Sequence, residues 1–310
     1  MYPMLPLALG ATIDSAFFNL DKAIFTFFGS MQNEVMTIIA KLFTSFGDED
    51  FVIPMVILAV VLCFFKKTRK YGFTLIFAVA VGTIVTNLAL KPMVERVRPY
   101  NTLQLSDFWA QYEVWYKGAG SLSESDFSFP SGHTTSAFEM AIGLFICFIS
   151  ENKKKIAWIF PVIAVLTMCS RVYLMVHYPT DVIFGCLAGC VAAIIGYLLA
   201  KLVLLIFSKV KFLDNIDAEK LFKKGINPKA GIAVITAVVV AVFCFSFVRL
   251  MTEDEGVKCA YSAEYGGEYN CNNKARTGDD AIKYPGIDVD GDGDIDNLCK
   301  IHSKELNPQK

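Results

Sequence analysis

Three polar clusters interrupt an otherwise apolar chain. The first is Lys91-Pro92-Met93-Val94-Glu95-Arg96-Val97-Arg98-Pro99. Lys91 and Arg98 are seven residues apart, a spacing that shares one face of any helix continuing there, and Pro99 disfavours helix at Arg98. The second cluster is Pro130-Ser131-Gly132-His133. It stands where a helix begins, and backbone N–H groups at a helix start form a site for an anion. Gly132 lets such an anion approach the backbone closely. The third cluster is Ser170-Arg171, followed by His177 and Asp181, with Pro179 breaking the helix between them.

Each cluster has an ordinary alternative. Cations at a helix end can snorkel, Pro-Ser-Gly is a common turn, and a histidine beside a carboxylate is often only a satisfied polar pair. The alternatives weaken when the clusters are taken together, because two of the three histidines in the chain fall within them. Lys91, Arg98 and Arg171 would converge at one depth, with no comparable carboxylate excess expected beside them. A buried group of positive charges repels itself unless an anion binds it. Phosphate is the anion expected.

The elements that must position these residues are membrane helices. Of the 310 residues, 54% are hydrophobic, and the mean hydropathy is +0.46. Apolar runs reach the roughly 20 residues that cross a bilayer. A net charge of −1 gives no global basic field for nucleic acid. Six spans are expected, near 50–65, 71–90, 134–150, 156–176, 182–208 and 230–250. Lys66, Lys67, Arg69 and Lys70 separate the first two, and Lys153, Lys154 and Lys155 the next pair. Lys209, Lys211, Lys220, Lys223, Lys224 and Lys229 lie before the last span. Basic connections stay cytoplasmic, so 91–133, 177–181 and the tail 251–310 are expected on the external face. Domain bounds follow: 1–49, a core at 50–208, a basic loop and last span at 209–250, and the tail.

In the first 45 residues Asp14, Asp21, Lys22, Gln32, Asn33, Glu34 and Lys41 interrupt the apolar pattern. One or two interfacial amphipathic helices are expected there, with a seventh span as the alternative. Met1 to Gly10 has no basic region, so no cleaved signal peptide is expected. The loop 209–229, with Phe212, Leu213, Ile216, Leu221 and Phe222, reads as an interfacial linker that could also meet anionic headgroups.

The ordered pattern Lys91-x6-Arg98-Pro99, Pro130-Ser131-Gly132-His133 and Ser170-Arg171-x5-His177-x3-Asp181 resembles the signature of the type 2 phosphatidic acid phosphatase (PAP2) superfamily, over about residues 50–207. The resemblance implies an all-α membrane bundle whose core is shared with vanadium haloperoxidases. It implies His177 as nucleophile through a phosphohistidine, Asp181 fixing its tautomer, and His133 as acid and then base. Lys91, Arg98, Arg171, Ser131 and Gly132 would hold the phosphoryl oxygens, doing the work magnesium does elsewhere. No metal is expected in catalysis. The substrate implied is a lipid phosphate at a membrane surface: undecaprenyl diphosphate, phosphatidic acid or phosphatidylglycerol phosphate. A haloperoxidase-like vanadate site fits poorly with six spans. The remaining rival is a non-catalytic membrane protein that binds lipid phosphate or uses a calcium-dependent tail.

Other residues carry weaker signals. Glu139 lies two turns into a span, where it could contact the site or a neighbouring helix. Trp109, Tyr112, Trp115 and Tyr116 in 101–129 could shape substrate entry or simply pack. Six of the nine cysteines (Cys63, Cys147, Cys169, Cys186, Cys190 and Cys244) lie in apolar runs as small hydrophobes. In the tail, Asp288, Asp290, Asp292 and Asp296 follow the spacing of a calcium loop with Gly293 at its turn, although Cys299 stands where a bidentate Glu is usual. Cys259, Cys271 and Cys299 suggest one disulfide and one free thiol. A zinc site that includes His302 is the weaker expectation, on spacing.

Overall fold

The structure, a computed structural model, describes residues 5–221, 227–252, 256–261 and 271–307. Phe222, Lys223 and Lys224 of the basic loop lie outside the described residues. The described chain is helical, with a single isolated bridge, Lys258 to Lys274.

Helix α1 (Leu5–Ser30) and α2 (Glu34–Thr44) form the N-terminal segment. The Asn33 side chain caps α2 by accepting from Met36 N at 3.0 Å. A short turn, Ser45–Gly47, leads into α3 (Glu49–Cys63). Helix α4 (Arg69–Thr83) widens into a π-helical stretch, Ile84–Leu90, and ends at Lys91–Val94. After it come α5 (Trp109–Gly118), α6 (Gly132–Ser150), α7 (Ile159–Tyr173), α8 (Pro179–Lys209) and α9 (Pro228–Thr252), then a small tail ending in α10 (Lys300–Leu306).

Among the described residues, five stretches are long and apolar enough to cross a membrane: Arg69–Leu105, Gly132–Ser150, Lys154–Tyr173, Pro179–Lys209 and Lys229–Thr252. The first span expected from sequence, 50–65, corrects to the 15-residue α3. At 1.5 Å per residue it is about 22 Å long, short of the ~30 Å hydrocarbon core. The capped Asp48 start and the turn before Arg69 limit its length.

Helix α8 is the central post, packed along α4 and α6. Close approach depends on small residues, as lipid supplies no hydrophobic drive between helices. A Cβ at Gly196 would lie 2.5 Å from Ala78 N, and one at Gly189 2.7 Å from Thr135 O. The basic connections gather at one end, through Lys66–Asp214 (2.8 Å), Lys67–Glu219 (2.9 Å) and Lys70–Glu151 (2.7 Å). The three polar clusters gather at the other. The tail sits at that second end: Lys304 pairs with Glu95 at 3.2 Å, and Asn272 N donates to Asn101 Oδ1 at 2.9 Å.

Candidate active site

Lys91 and Arg98 meet, though not as neighbours on one helix face. The helix stops at Val94 because Glu95 adopts a left-handed conformation (φ 49°), and Arg98 before Pro99 is extended. The bend turns both side chains toward Asp126: Lys91 pairs with its carboxylate, and Arg98 Nη2 lies 2.6 Å from Oδ1. Arg98 also donates to Asp126 O and Val176 O, both at 3.0 Å.

Arg171, at the end of α7, donates to Thr44 Oγ1 at 2.8 Å and pairs with Glu124. Arg98 pairs with the same Glu124 carboxylate. Two carboxylates, Glu124 and Asp126, thus occupy the cation cluster, and the expectation of uncompensated positive charge is corrected. Burial alone would raise both carboxyls. The charges of Arg171 and Arg98 hold Glu124 well below the ordinary carboxylate range, and those of Lys91 and Arg98 do the same for Asp126.

His177 lies in the turn between α7 and α8, fully buried. Arg98 Nη1 is 3.1 Å from His177 Nε2. A guanidinium only donates, so Nε2 carries the lone pair and the ring proton is on Nδ1. Nδ1 faces Asp181 Oδ2 at 3.5 Å and Ser128 Oγ at 3.4 Å, and Ser128 donates to the same Asp181 oxygen at 2.5 Å. Burial first, then the charge of Arg98, lowers the His177 pKa to about 4. The ring is therefore neutral at neutral pH, with Nε2 free of a proton and facing the cations.

Asp181, near the start of α8, is held from every side. Tyr178 N donates to its Oδ2 at 3.0 Å, and Arg96 Nη1 approaches Oδ1 at 2.6 Å. Arg96 was not singled out by sequence reasoning, yet it is completely buried and organises this corner. It also bonds Asp14 (2.8 Å), Asp21 (3.0 Å) and Thr180 Oγ1 (2.7 Å), and its guanidinium lies 3.7 Å from the Tyr178 ring centroid. Asp21 in turn accepts from Thr180 N at 3.0 Å. The acidic residues that made α1 look unsuited to a membrane interior are therefore ligands of Arg96.

His133, in the first turn of α6, faces Asp48 (Nε2 to Oδ2 3.5 Å) and Glu124 (Nδ1 to Oε1 4.0 Å). Burial raises the Asp48 carboxyl most, but the bond and charge of His133, the Asp50 N–H and the charge of Arg171 together leave it below its ordinary value. A Cβ at Gly47 would sit 2.3 Å from His133 O, so only glycine lets the Ser45–Gly47 turn come this close. Ser131 Oγ caps α6, accepting from Thr134 N at 3.4 Å and Thr134 Oγ1 at 3.1 Å. Ser131 N donates to Asp181 O at 3.1 Å, tying the second cluster to the third. A Cβ at Gly132 would meet Lys91 Nζ at 3.6 Å, so the glycine faces the cations.

Glu139 Oε2 is buried without a hydrogen-bond partner among the described residues and lies against Gly82. The aromatic residues of α5 pack inward: Tyr112 donates to Met175 O beside the His177 turn, and Tyr100 stacks on Tyr116 at 4.9 Å. In the tail, carboxylates of Asp288, Asp290 and Asp296 lie within 4.8 Å of one another. Asp292 is not among them; its Oδ1 accepts from Asp294 N at 2.9 Å. Gly293 has φ 96°, as the expected turn requires.

These features define an all-α membrane protein with a neutral histidine, its carboxylate and a cation cluster at one membrane end. The PAP2 superfamily matches residues 67–205, which contain all three clusters. Phosphatidylglycerophosphatase B of Bacillus subtilis is 36% identical over 159 residues, covering 49% of this chain and 68% of that one. The undecaprenyl-diphosphatase of Sulfolobus acidocaldarius is 32% identical over 158 residues, covering 51% and 65%. The crystal structure of a transmembrane PAP2-type phosphatidylglycerolphosphate phosphatase from Bacillus subtilis superposes with a TM-score of 0.48 at 27% identity, over 61% of this chain and 89% of that one. The chain belongs to the PAP2 superfamily and is a phosphatase.

Proposed function

We propose that the chain removes a terminal phosphate from a lipid phosphate or diphosphate, through a phosphohistidine at His177 and without a catalytic metal. One observation carries the reading. The Glu124 carboxylate is gripped by Arg98 and Arg171 while it faces both His177 Nε2, at 3.8 Å, and His133 Nδ1, at 4.0 Å. An anion at that position touches the nucleophile, the acid and the cations at once. A phosphoryl group arriving there displaces Glu124 and takes over its partners.

In this scheme His177 Nε2 attacks phosphorus, and the P–O bond to the lipid breaks as His133 gives its proton to the leaving oxygen. The Nδ1 proton remains between Ser128 and Asp181, which stabilise the positive charge developing on the ring. His133 then takes a proton from water, the water oxygen bonds to phosphorus, and the N–P bond breaks to release inorganic phosphate. Lys91, Arg98, Arg171 and the amide of Gly132 stabilise the equatorial oxygens, the largest contribution in phosphoryl transfer. Asp48 orients His133 as Asp181 orients His177. Any calcium at the Asp288–Asp296 loop would serve the tail and not this reaction.

The names of the relatives favour a membrane lipid as substrate. Phosphatidylglycerol phosphate, undecaprenyl diphosphate and phosphatidic acid are the classes proposed, with the site on the external face, opposite the basic connections. The test is phosphate release from a panel of these lipids by detergent-purified protein, with and without added magnesium. Turnover on at least one lipid, unchanged by magnesium, is expected. Dependence on added magnesium would overturn the metal-free scheme. Stoichiometric binding of the lipids without release would favour the non-catalytic rival.

A further inference from the structure

Outside the region shared with the superfamily, the tail brings Cys259, Cys271, Cys299 and His302 to one point. These residues look scattered in sequence. The bridge between Lys258 and Lys274 brings the Cys259 and Cys271 segments together, with Cys259 N donating to Asn273 O and Cys271 N to Tyr261 O, and the start of α10 brings Cys299 and His302 together. All four are buried. The separation of one disulfide and one free thiol expected from sequence is corrected: all three cysteines are unbridged, and Cys271 Sγ lies 3.9 Å from Cys299 Sγ.

We propose that Cys259, Cys271, Cys299 and His302 bind one structural zinc ion. Zinc holds thiolate at about 2.3 Å and imidazole at about 2.0 Å in a tetrahedron, so its ligand atoms stand roughly 3.5–3.8 Å from one another. His302 Nδ1 lies 3.4 Å from Cys259 Sγ and 3.5 Å from Cys299 Sγ, and Cys271 Sγ lies 3.9 Å from Cys299 Sγ. These three edges are close to those of that tetrahedron, and all four ligand atoms lie within 4.8 Å of one another.

The surroundings treat the sulfurs as acceptors. Cys299 N donates to Cys259 Sγ at 3.2 Å, Asn273 N to Cys271 Sγ at 3.4 Å, and Asn273 Nδ2 to Cys299 Sγ at 3.5 Å. N–H groups aimed at three sulfurs suit thiolates, and buried thiolates need a cation at their centre. The other nitrogen of His302, Nε2, faces Glu305 Oε2 at 3.9 Å, the outer carboxylate that commonly orients a zinc-bound imidazole. Three thiolates and an imidazole select zinc over calcium or magnesium by ligand softness.

The ion would brace the tail on the catalytic end. Phe127 packs into the cluster with Cys259, Cys271, Leu298 and Cys299, and it stands between Asp126, which holds Lys91 and Arg98, and Ser128, which holds Asp181. Asn101 Nδ2 and Tyr100 Oη both donate to Asn273 Oδ1, at 3.1 Å.

The experiment is metal analysis by mass spectrometry on the full-length protein, purified in detergent without added metal or chelator. About one zinc per chain is expected. His302→Ala should lose most of it, and His302→Cys, which keeps four ligands, should retain it. Limited proteolysis of the tail should accelerate when zinc is stripped. Wild-type protein free of zinc, or a disulfide between two of these cysteines in peptide mapping, would overturn the proposal. Neither readout depends on phosphatase activity, so failure here and failure of the proposed reaction are distinguishable.

Discussion

Glu124 Oε2 lies 3.8 Å from His177 Nε2, on the side of the ring that carries the lone pair. The residue that fills the candidate phosphate position is therefore an internal carboxylate, supplied by the loop between α5 and α6. In the proposed reaction, substrate binding is an exchange of anions, and the free-energy cost of displacing Glu124 sets part of the apparent affinity.

Neutralising that carboxylate should strengthen phosphate binding. Glu124→Gln is predicted to lower the inhibition constant of inorganic phosphate or vanadate by about tenfold, roughly the 1.4 kcal/mol of one charge-assisted contact. Inhibition assays on the purified variant measure it. Weaker inhibition would show that Glu124 helps bind the anion instead of competing with it.

Ser128 donates to Asp181 at 2.5 Å while its oxygen faces His177 Nδ1 at 3.4 Å. Ser128→Ala should lower kcat by about tenfold with little change in KM, because the hydroxyl helps hold the ring proton and does not touch the substrate. Steady-state kinetics separate the two parameters. A change confined to KM would remove Ser128 from this role.

Arg96 is buried among Asp14, Asp21 and Asp181. Removing one partner of a buried ionic network leaves uncompensated charge, at a cost of about 3–5 kcal/mol. Arg96→Leu is predicted to destabilise the protein by that amount in thermal unfolding in detergent. Asp21→Asn, which retains hydrogen bonding to Thr180, should cost less. Equal stability of Arg96→Leu and wild type would mean that the network is not needed for folding.

The His177 pKa of about 4 lies below its ordinary 6.5. The folded protein thus binds fewer protons at this ring than the unfolded chain does between those values. The stability contributed by neutral His177 is present above about pH 6.5 and is lost as pH falls toward 4. Histidine-selective NMR labelling, with only three rings to assign, should show His177 unprotonated at pH 5.5. A midpoint near 6.5 would contradict the burial argument.

The candidate-site pattern was legible because its parts are local. Ser170-Arg171 at the end of α7, His177 in the following turn and Asp181 at the start of α8 straddle one helix-to-helix connection, and Ser131-Gly132-His133 mark one helix start. The network around Arg96 was not, since its partner Asp14 lies 82 residues away and reads as an interruption of an apolar helix. Glu124 and Asp126 were hidden in a polar loop with no periodicity to mark them. Asp48 and Thr44 lay in a segment that composition marked as interfacial. The spans followed hydropathy, except where α3 proved too short. The convergence of Cys259, Cys271, Cys299 and His302 was not legible from cysteine spacing for a geometric reason: an isolated bridge and a helix start can join distant positions that no short motif connects.

The most direct test of the central claim is phosphate release from phosphatidylglycerol phosphate and undecaprenyl diphosphate by wild type and His177→Ala, with acid-stable and acid-labile phosphoprotein measured in the quenched reaction. The account predicts turnover by wild type on at least one lipid, a transient acid-labile phosphoenzyme, and loss of both by about 10³-fold or more in His177→Ala. Retained turnover in the variant, or a phosphoenzyme at another residue, would contradict it.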